Sequence, residues 1–581
     1  MKAVLGLKLG PQHDTGACAV WESGGELRCC AISEERLSRR KQDRAFPALS
    51  IRAVLDQAGL RLRDLGCVCV DKLGPRTMVE QTRPIGTVDR ELWQDQERAF
   101  FVALEGVPAF VVNHHFAHAA SAYYPFHRDH AAVLVVDGSG SDWPRDTVRA
   151  DRLIMQGRPT EVGHYPLRRY DRRAETQSIF KGRGLHLERL ATSTRSGAGH
   201  FYSYFSKHVA GFGQLQEGKL MGLAGYGSAD HLSDFTSFPM SLFDGVDTPM
   251  LDYLLDTEFA VPEVRPADVP ATDEPWCHVA YWAQHWLERA VVHLAREAVI
   301  GANSRTLVAA GGVMLNVVAN RLARDTLLAE GRLREMHVQP ASSDAGMPMG
   351  AALVGYYHTL GGSLPFQQNR VYLGPEPDEA GAEDELIRRG GTRPANLAET
   401  VAELLVKGKI VGWWQGPSEY GPRALGARSI LAWPGQASMK DTINRRIKHR
   451  EAFRPFAPIC REDNAHEIFG VSFPVPYMLF NTIIKDEYRT KIPAVMHIDG
   501  SGRLQTVGPR WTPRLHELLG AVRQRDGVGV LLNTSFNDAG EPIVESVRDA
   551  IGCAERTGLD ALVVGGVVWE RGRSSADPEQ E

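Results

Sequence analysis

Short apolar runs alternate with longer segments of helical period through the first 360 residues. "AVLGLKL" is a buried-strand pattern, and "HDTGACAVWE" reads as a turn leading into a second strand. "AFVVNHHFAHAASAYY" changes in mid-run from an apolar strand to an alanine-rich helix, and "AAVLVVDGSGSD" predicts a buried strand that ends at Asp137. Further on, "WCHVAYWAQHWLERAVVHLAREAV" carries the 3.6-residue period, "RTLVAAGG" reads as a strand and "VMLNVVANRLARD" as a helix. Strand–loop–helix alternation of this kind predicts an α/β domain whose active loops lie at strand ends. The pattern breaks around "LGGSLPFQQNR", which places a boundary between a domain at 1–362 and another at 363–570. The second part holds a helix in "AETVAELLVKGK" and strands in "IVGWW", "GVGVLLNTSFN" and "DALVVGG", and residues 571–581 read as a disordered polar tail. No internal repeat is visible.

Composition adds limits. With 581 residues the chain is too long for one ordinary core. At 43% hydrophobic, 24% charged and a formal net charge of −5, nothing global calls for nucleic acid or a membrane surface, so any cationic site is local. None of the eight cysteines forms a C-x-x-C pair, which fits reduced thiols, and no signal peptide or membrane-length apolar run is evident; a cytoplasmic location is expected.

Three histidines fall within five positions in "NHHFAH". On a helix, His114 and His118 stand at i and i+4 on one face, whereas His115 points about 100° away. Spacing alone leaves the pair open between packed imidazoles and metal ligands. Asp137, at a strand end, and Asp344, in the glycine-flanked loop "ASSDAGMPMG", complete a two-histidine, two-carboxylate set suited to a first-row metal, though each aspartate alone also reads as a turn or cap residue.

Phosphate signals are uneven. "GQLQEGKL" nearly spells a P-loop but has Leu220 where a magnesium-binding hydroxyl is needed, and it is rejected. Gly311 and Gly312 follow a strand and open a predicted helix, an arrangement that suits either an anion or a packing turn. In the second part, "EYGPRALGARSI" and "INRRIKHREAFRPFAP" place Arg423, Arg428, Lys448 and Arg454 among apolar neighbours, the pattern of a pocket wall rather than a solvated charge run. "LLNTSFN" adds Ser535 and Asn537, able to orient a neutral group such as a carbamoyl.

Nine segments in order from residue 13 to 546, "HDTGA", "NHHFAHAASA", "VVDGSGS", "QEGKLMGLAGYG", "GGVMLN", "SDAGMPMGAA", "EYGPRALGARSI", "IKHREAFRPFAP" and "LLNTSFNDAGEPIVES", resemble the NodU/CmcH-type O-carbamoyltransferases. The resemblance implies an N-terminal domain of the actin/sugar-kinase fold, related to the tRNA threonylcarbamoyl-transfer metalloprotein, and a C-terminal YrdC-like α/β domain. It implies that carbamoyl phosphate and ATP give carbamoyladenylate and pyrophosphate on the second domain, and that the first passes the carbamoyl group to a hydroxyl of a small acceptor, releasing AMP. The family's metal ligands fall on His114, His118, Asp137 and Asp344, with iron(II) the expected ion, alongside ATP with Mg2+. Its carbamoyl phosphate and adenylate pocket falls on Arg423, Lys448, Arg454, Arg503, Ser535 and Asn537. Lys219, Gly311, Gly312 and Asn316 match motifs on the nucleotide side of the first domain, and His13 is the candidate base. The expected partner is a small hydroxylated molecule, with neither nucleic acid nor membrane, and a homodimer is an allowed assembly. The acceptor is expected against residues 168–184 and 259–275. The alternatives are a tRNA threonylcarbamoyl-type transferase, disfavoured because both halves share one chain, and a non-catalytic nucleotide-binding regulator.

Overall fold

The computed structural model describes residues 2–10, 13–71, 81–85, 95–104, 106–126, 129–141, 174–213, 215–234, 238–256, 264–366 and 371–572. Residues 168–173 and 259–263 of the two stretches expected to meet the acceptor, and 573–581 of the polar tail, lie outside these residues. The chain divides into two units: residues 1–34 with 42–369, and residues 35–41 with 370–581. The seven-residue excursion 35–41 had no signal in the sequence.

The first unit holds two sheets. One runs β3-β2-β1-β4-β6-β5, from β1 (Ala3–Lys8), β2 (Gly16–Ser23), β3 (Glu26–Ser33), β4 (Cys67–Asp71), β5 (Thr82–Pro84) and β6 (Ala109–Val112). The other runs β11-β10-β7-β8-β9, from β7 (His130–Val136), β8 (Gln177–Arg183), β9 (His186–Ser193), β10 (Thr306–Ala310) and β11 (Glu335–Val338). In each sheet an antiparallel three-strand meander is followed by two strands that add in parallel beside its first strand. The expectation of no repeat is therefore corrected at the level of topology. The two halves share a wiring pattern because strand order depends on where apolar runs fall, not on which apolar residues fill them. The central strands β1, β4 and β7 are buried nearly end to end, so they read as continuous apolar runs rather than alternating ones.

Four helices of this unit position the site: α1 (His114–Phe126), α2 (Trp276–Ala302), α3 (Val317–Ala329) and α4 (Met347–Val354). α4 packs against α1 so closely that a Cβ on Gly350 would stand 1.9 Å from the carbonyl oxygen of Ala117. α3 begins at Val317, later than its apolar pattern suggests, because Asn316 accepts the Ala319 N–H and caps it.

The second unit is built on one seven-stranded sheet ordered β17-β14-β18-β13-β12-β19-β20. Its strands are β12 (Val411–Trp414), β13 (Arg428–Ala432), β14 (Ala457–Arg461), β17 (Gln505–Val507), β18 (Val530–Ser535), β19 (Ala561–Val564) and β20 (Val567–Glu570), with the short pair β15 (Thr482–Ile483) and β16 (Ser501–Gly502) to one side. Both faces are covered by apolar clusters, one around Trp414, Phe456 and Phe536 and the other around Trp413, Leu518 and Leu531. Among the described residues no helix is long and apolar enough to cross a membrane.

Candidate metal centre and cationic pocket

β6 ends one residue before α1, so the strand fixes where the helix starts and His114 and His118 rise from its first turns. Asn113 and Ser141 secure the junction. The Asn113 side chain accepts the Phe116 N–H, and Ser141 Oγ accepts the His114 N–H. Asp137 follows β7 directly. Asp344 opens the turn before α4, which the glycine at position 350 lets approach α1. Four residues from three places thus meet: His114, His118, Asp137 and Asp344 present ligand atoms all within 4.8 Å of one another, and all four are buried.

The geometry inside this set is convergent. His114 Nε2 lies 3.2 Å from Asp137 Oδ2 and 3.5 Å from Asp344 Oδ1, and His118 Nε2 lies 3.6 and 3.8 Å from the same two oxygens. Gly312 donates its N–H to Asp137 Oδ1 at 2.9 Å. This shows what the Gly311–Gly312 turn does here: its amide holds a carboxylate of the chain itself, ahead of a short turn rather than a helix start. Gly311 takes φ 98°, and a Cβ there would stand 2.2 Å from the Val136 carbonyl, so glycine is required. Burial opposes the charge of both carboxylates. Hydrogen bonds from His114 and His118, with the Lys8 charge for Asp344, nevertheless hold both well below the usual carboxylate range. Burial likewise opposes protonation of His114, but Asp71 and Asp344 hold its pKa well above the ordinary value. The donor set of two imidazoles and two carboxylates fits a divalent first-row metal.

Two groups of this centre gave no signal in the sequence. Lys8 and Asp71 end β1 and β4, and both are buried. Asp71 sits 3.2 Å from His114 Nδ1 with each oxygen, and Lys8 Nζ bridges Asp71 at 2.8 Å and Asp344 at 3.2 Å. His115 faces elsewhere, as the helical geometry required. Its Nδ1 pairs with Ser178 Oγ at 2.7 Å, and burial pushes its pKa down to about 3. His13 lies in the loop after β1 with Nδ1 3.1 Å from Asp14 Oδ2; burial lowers its pKa, and Asp14 more than reverses this. Asn316 is committed to capping α3 and to a two-way amide pair with Gln284. Lys219 lies on the short helix Glu217–Ala224, its ammonium 5.6 Å from the Phe212 ring centroid.

A second grouping of possible ligands, His231, Glu274 and His278, does not make a comparable site. The two rings stack at 3.9 Å, and His278 Nδ1 accepts the Ser228 N–H, which puts the proton on the Nε2 a metal would need.

The second unit carries a cationic pocket. Arg423, Arg450, Arg454 and Arg503 are half-buried, and Lys448 is buried. Burial and the charge of neighbouring arginines push Arg423 down to about 10 and Arg450 down to about 9 and lower Arg503; burial lowers Arg454 against the opposing Glu451 charge; burial and the nearby Arg450 push Lys448 down to about 7. The Nε atoms of Arg423 and Arg503 are buried without a hydrogen-bond acceptor among the described residues. Glu451 lies 3.8 Å from Arg454, and its charge also reaches Arg450. Lys448 Nζ ties together Ser535 and Asn537, donating to both carbonyls and to Asn537 Oδ1 at 2.5–2.9 Å. The loop bearing Arg423 is shaped by buried Glu419, whose Oε1 accepts the N–H groups of Leu425, Ala427 and Arg428.

Arg428 is not part of this pocket. It is fully buried on β13, donates to the carbonyls of Gln415, Gly416 and Glu545, and lies over the Trp414 ring. Sequence reasoning also missed Arg450, which packs over Phe456, and Lys41, whose lowered pKa reflects burial and the Arg454 charge. Lys41 arrives on the 35–41 excursion, which Arg36 and Arg39 fasten to carbonyls of residues 419, 421, 542 and 543.

One α/β unit thus carries a buried imidazole–carboxylate centre and the other a cluster of closely spaced cations. Residues 103–353 match the family description of the carbamoyltransferase N-terminus, and residues 402–571 that of the carbamoyltransferase C-terminus. The chain belongs to the carbamoyltransferase family, and is a transferase. It is 35% identical to nodulation protein NolNO of Sinorhizobium fredii over 98% of this chain and 80% of that one. It is 32% identical to the 3'-hydroxymethylcephem-O-carbamoyltransferase of Amycolatopsis lactamdurans over 61% of this chain and 65% of that one. Among solved structures, that of T.kodakarensis HypF aligns with 62% of this chain and 48% of its own, at 15% identity and a TM-score of 0.36.

Proposed function

We propose that this protein is an ATP-dependent O-carbamoyltransferase that makes carbamoyladenylate on its second unit and transfers the carbamoyl group to an alcohol on its first. The observation that carries the reading is the cationic pocket, in which two arginines keep buried N–H groups without acceptors. Such groups are costly to leave unpaired, and a phosphate-bearing ligand satisfies them. Chemical balance adds a water. The carbonyl–oxygen bond of carbamoyl phosphate breaks to give carbamate and inorganic phosphate. A carbamate oxygen then bonds to the α-phosphorus of ATP as the bond to the β-phosphate breaks, giving carbamoyladenylate and pyrophosphate. Arg423, Arg454 and Arg503 neutralise the phosphoryl oxygens, and the Lys448–Ser535–Asn537 network orients the carbamoyl amide.

On the first unit, His114, His118, Asp137 and Asp344 would hold a divalent metal, iron(II) by family resemblance. When bound it supplies Lewis acidity toward the adenylate. His13, made more basic by Asp14, accepts the proton of the acceptor hydroxyl, whose oxygen then takes the carbamoyl carbon as AMP leaves. The duplicated sheet topology supports the actin/sugar-kinase expectation for this unit. The acceptor class is taken from the cephem relative: a small hydroxylated metabolite.

The test is incubation of the pure protein with ATP, Mg2+ and carbamoyl phosphate, following pyrophosphate release and carbamoyladenylate by mass spectrometry. Both products are expected, each dependent on both substrates. Pyrophosphate formation that ignores carbamoyl phosphate would refute the reading.

A further inference from the structure

Two charged side chains that this scheme leaves unused stand behind the metal ligands. β1 and β4 pair in parallel with Lys8 opposite Asp71, so two neighbouring buried strands both end in a charged residue at the same edge. Lys8 is 0% exposed and Asp71 1%. Placing an ammonium and a carboxylate there carries a desolvation cost that each repays only through well-placed partners. Those partners are the ligands.

We infer that Lys8 and Asp71 are positioning residues with opposed effects on the metal, Asp71 strengthening its capture and Lys8 restraining it. The inference rests on the metal reading of His114, His118, Asp137 and Asp344. Both Asp71 oxygens lie 3.2 Å from His114 Nδ1. An ionised carboxylate there keeps the proton on Nδ1, so the Nε2 lone pair is the one aimed at the point where Asp137 and Asp344 meet. It also makes the imidazole a better donor. Lys8 acts on the other side. Its Nζ takes Asp344 Oδ2 at 3.2 Å, whereas Asp344 Oδ1 is the oxygen that faces both histidines. Lys8 thus removes one oxygen of Asp344 from coordination and leaves the other. Lys8 pairs with Asp71 and Asp344, and Asp137 faces His114, so three carboxylates and one ammonium gathered here match the charge of a divalent cation. A metal so balanced keeps more of its Lewis acidity than one bound by an excess of negative charge.

The opposed signs make the inference testable, because a purely structural ion pair loses the same thing whichever partner is removed. Full-length protein is stripped of metal with a chelator and titrated with Co2+ alone, reading affinity by chelator competition and geometry by visible absorbance. The wild type is expected to bind one Co2+. Asp71→Asn is expected to bind about 10- to 100-fold more weakly. Lys8→Met, close in shape and uncharged, is expected to bind about tenfold more tightly, a modest fraction of one nearby unit charge at an effective dielectric near 20. Lys8→Gln and Asp71→Ser, expected to shift in the same directions, stand in should either first choice fail to fold. Weakening by both Lys8 and Asp71 substitutions, or no change in either, overturns the inference while leaving the metal reading intact. Absence of Co2+ binding by the wild type overturns the metal reading itself, and the inference with it.

Discussion

Two arginines of the second unit, 75 residues apart in sequence, show how differently the same side chain is used. Arg428 is fully buried and largely paired: its Nε and Nη1 donate to three carbonyls and its guanidinium lies over a tryptophan face, while its Nη2 stands 3.8 Å from Glu545 with no hydrogen-bond acceptor among the described residues. Arg503 is crowded by Arg423, Arg450 and Arg454 and keeps a buried Nε without an acceptor. Removing the first leaves several buried carbonyls unpaired, so Arg428→Ala is expected to cost roughly 2–4 kcal/mol of stability. Removing the second relieves repulsion that persists at every working pH, so Arg503→Ala is expected to raise stability by roughly 0.5–2 kcal/mol while abolishing adenylate formation. Denaturant titration alongside the pyrophosphate assay reads both. A destabilised Arg503→Ala would mean the pocket cations are held by contacts within the fold and not reserved for a ligand. At this scale the sequence was informative wherever chemistry and spacing coincided. His114 and His118 stood out through their i, i+4 interval, and Asp137 through its place at the end of an apolar run. Lys8 and Asp71 did not stand out, because a single charge closing a buried strand looks the same as the first residue of a loop. Lys41 was equally silent, since its partners lie some 400 residues further on.

At the scale of elements, the metal centre depends on how closely two helices approach. Gly350 on α4 faces Ala117 on α1, which lies between the two histidines in sequence and directly before His118. Glycine inside a helix costs about 1 kcal/mol relative to alanine, so on propensity alone Gly350→Ala should stabilise. The added Cβ would, however, stand 1.9 and 2.6 Å from backbone atoms that cannot turn aside. Overpacking of this kind costs roughly 1–3 kcal/mol and wins. Gly350→Ala is expected to lower Tm and, by pushing α4 and Asp344 outward, to weaken metal binding. A variant with unchanged Tm and metal affinity would show that the approach of α4 is not what sets the site. Helices α1 and α2, and the strands around them, were legible from apolar period alone. The start of α3 was not, because a short turn carries the same apolar pattern until Asn316 resets it with a cap.

For the whole molecule, the sequence pattern gave the α/β class and a break near residue 362, but not the duplicated sheet topology of the first unit or the return of residues 35–41 to the second. Both are long-range facts: pairing order and chain excursions leave no local period to read. The proposed functional division follows the two units. One carries a convergent set of ligands, and the other a concentration of positive charge with no metal-ligand grouping among the described residues. That division is the central claim, and a single paired measurement bears on it most directly. Arg454→Ala and His114→Ala are each given ATP and carbamoyl phosphate, with carbamoyladenylate followed by mass spectrometry. Arg454→Ala is predicted to form none, whereas His114→Ala forms the adenylate at close to the wild-type rate and passes the carbamoyl group to no acceptor. Loss of adenylate formation in a folded His114→Ala protein would contradict the assignment of the two steps to two units.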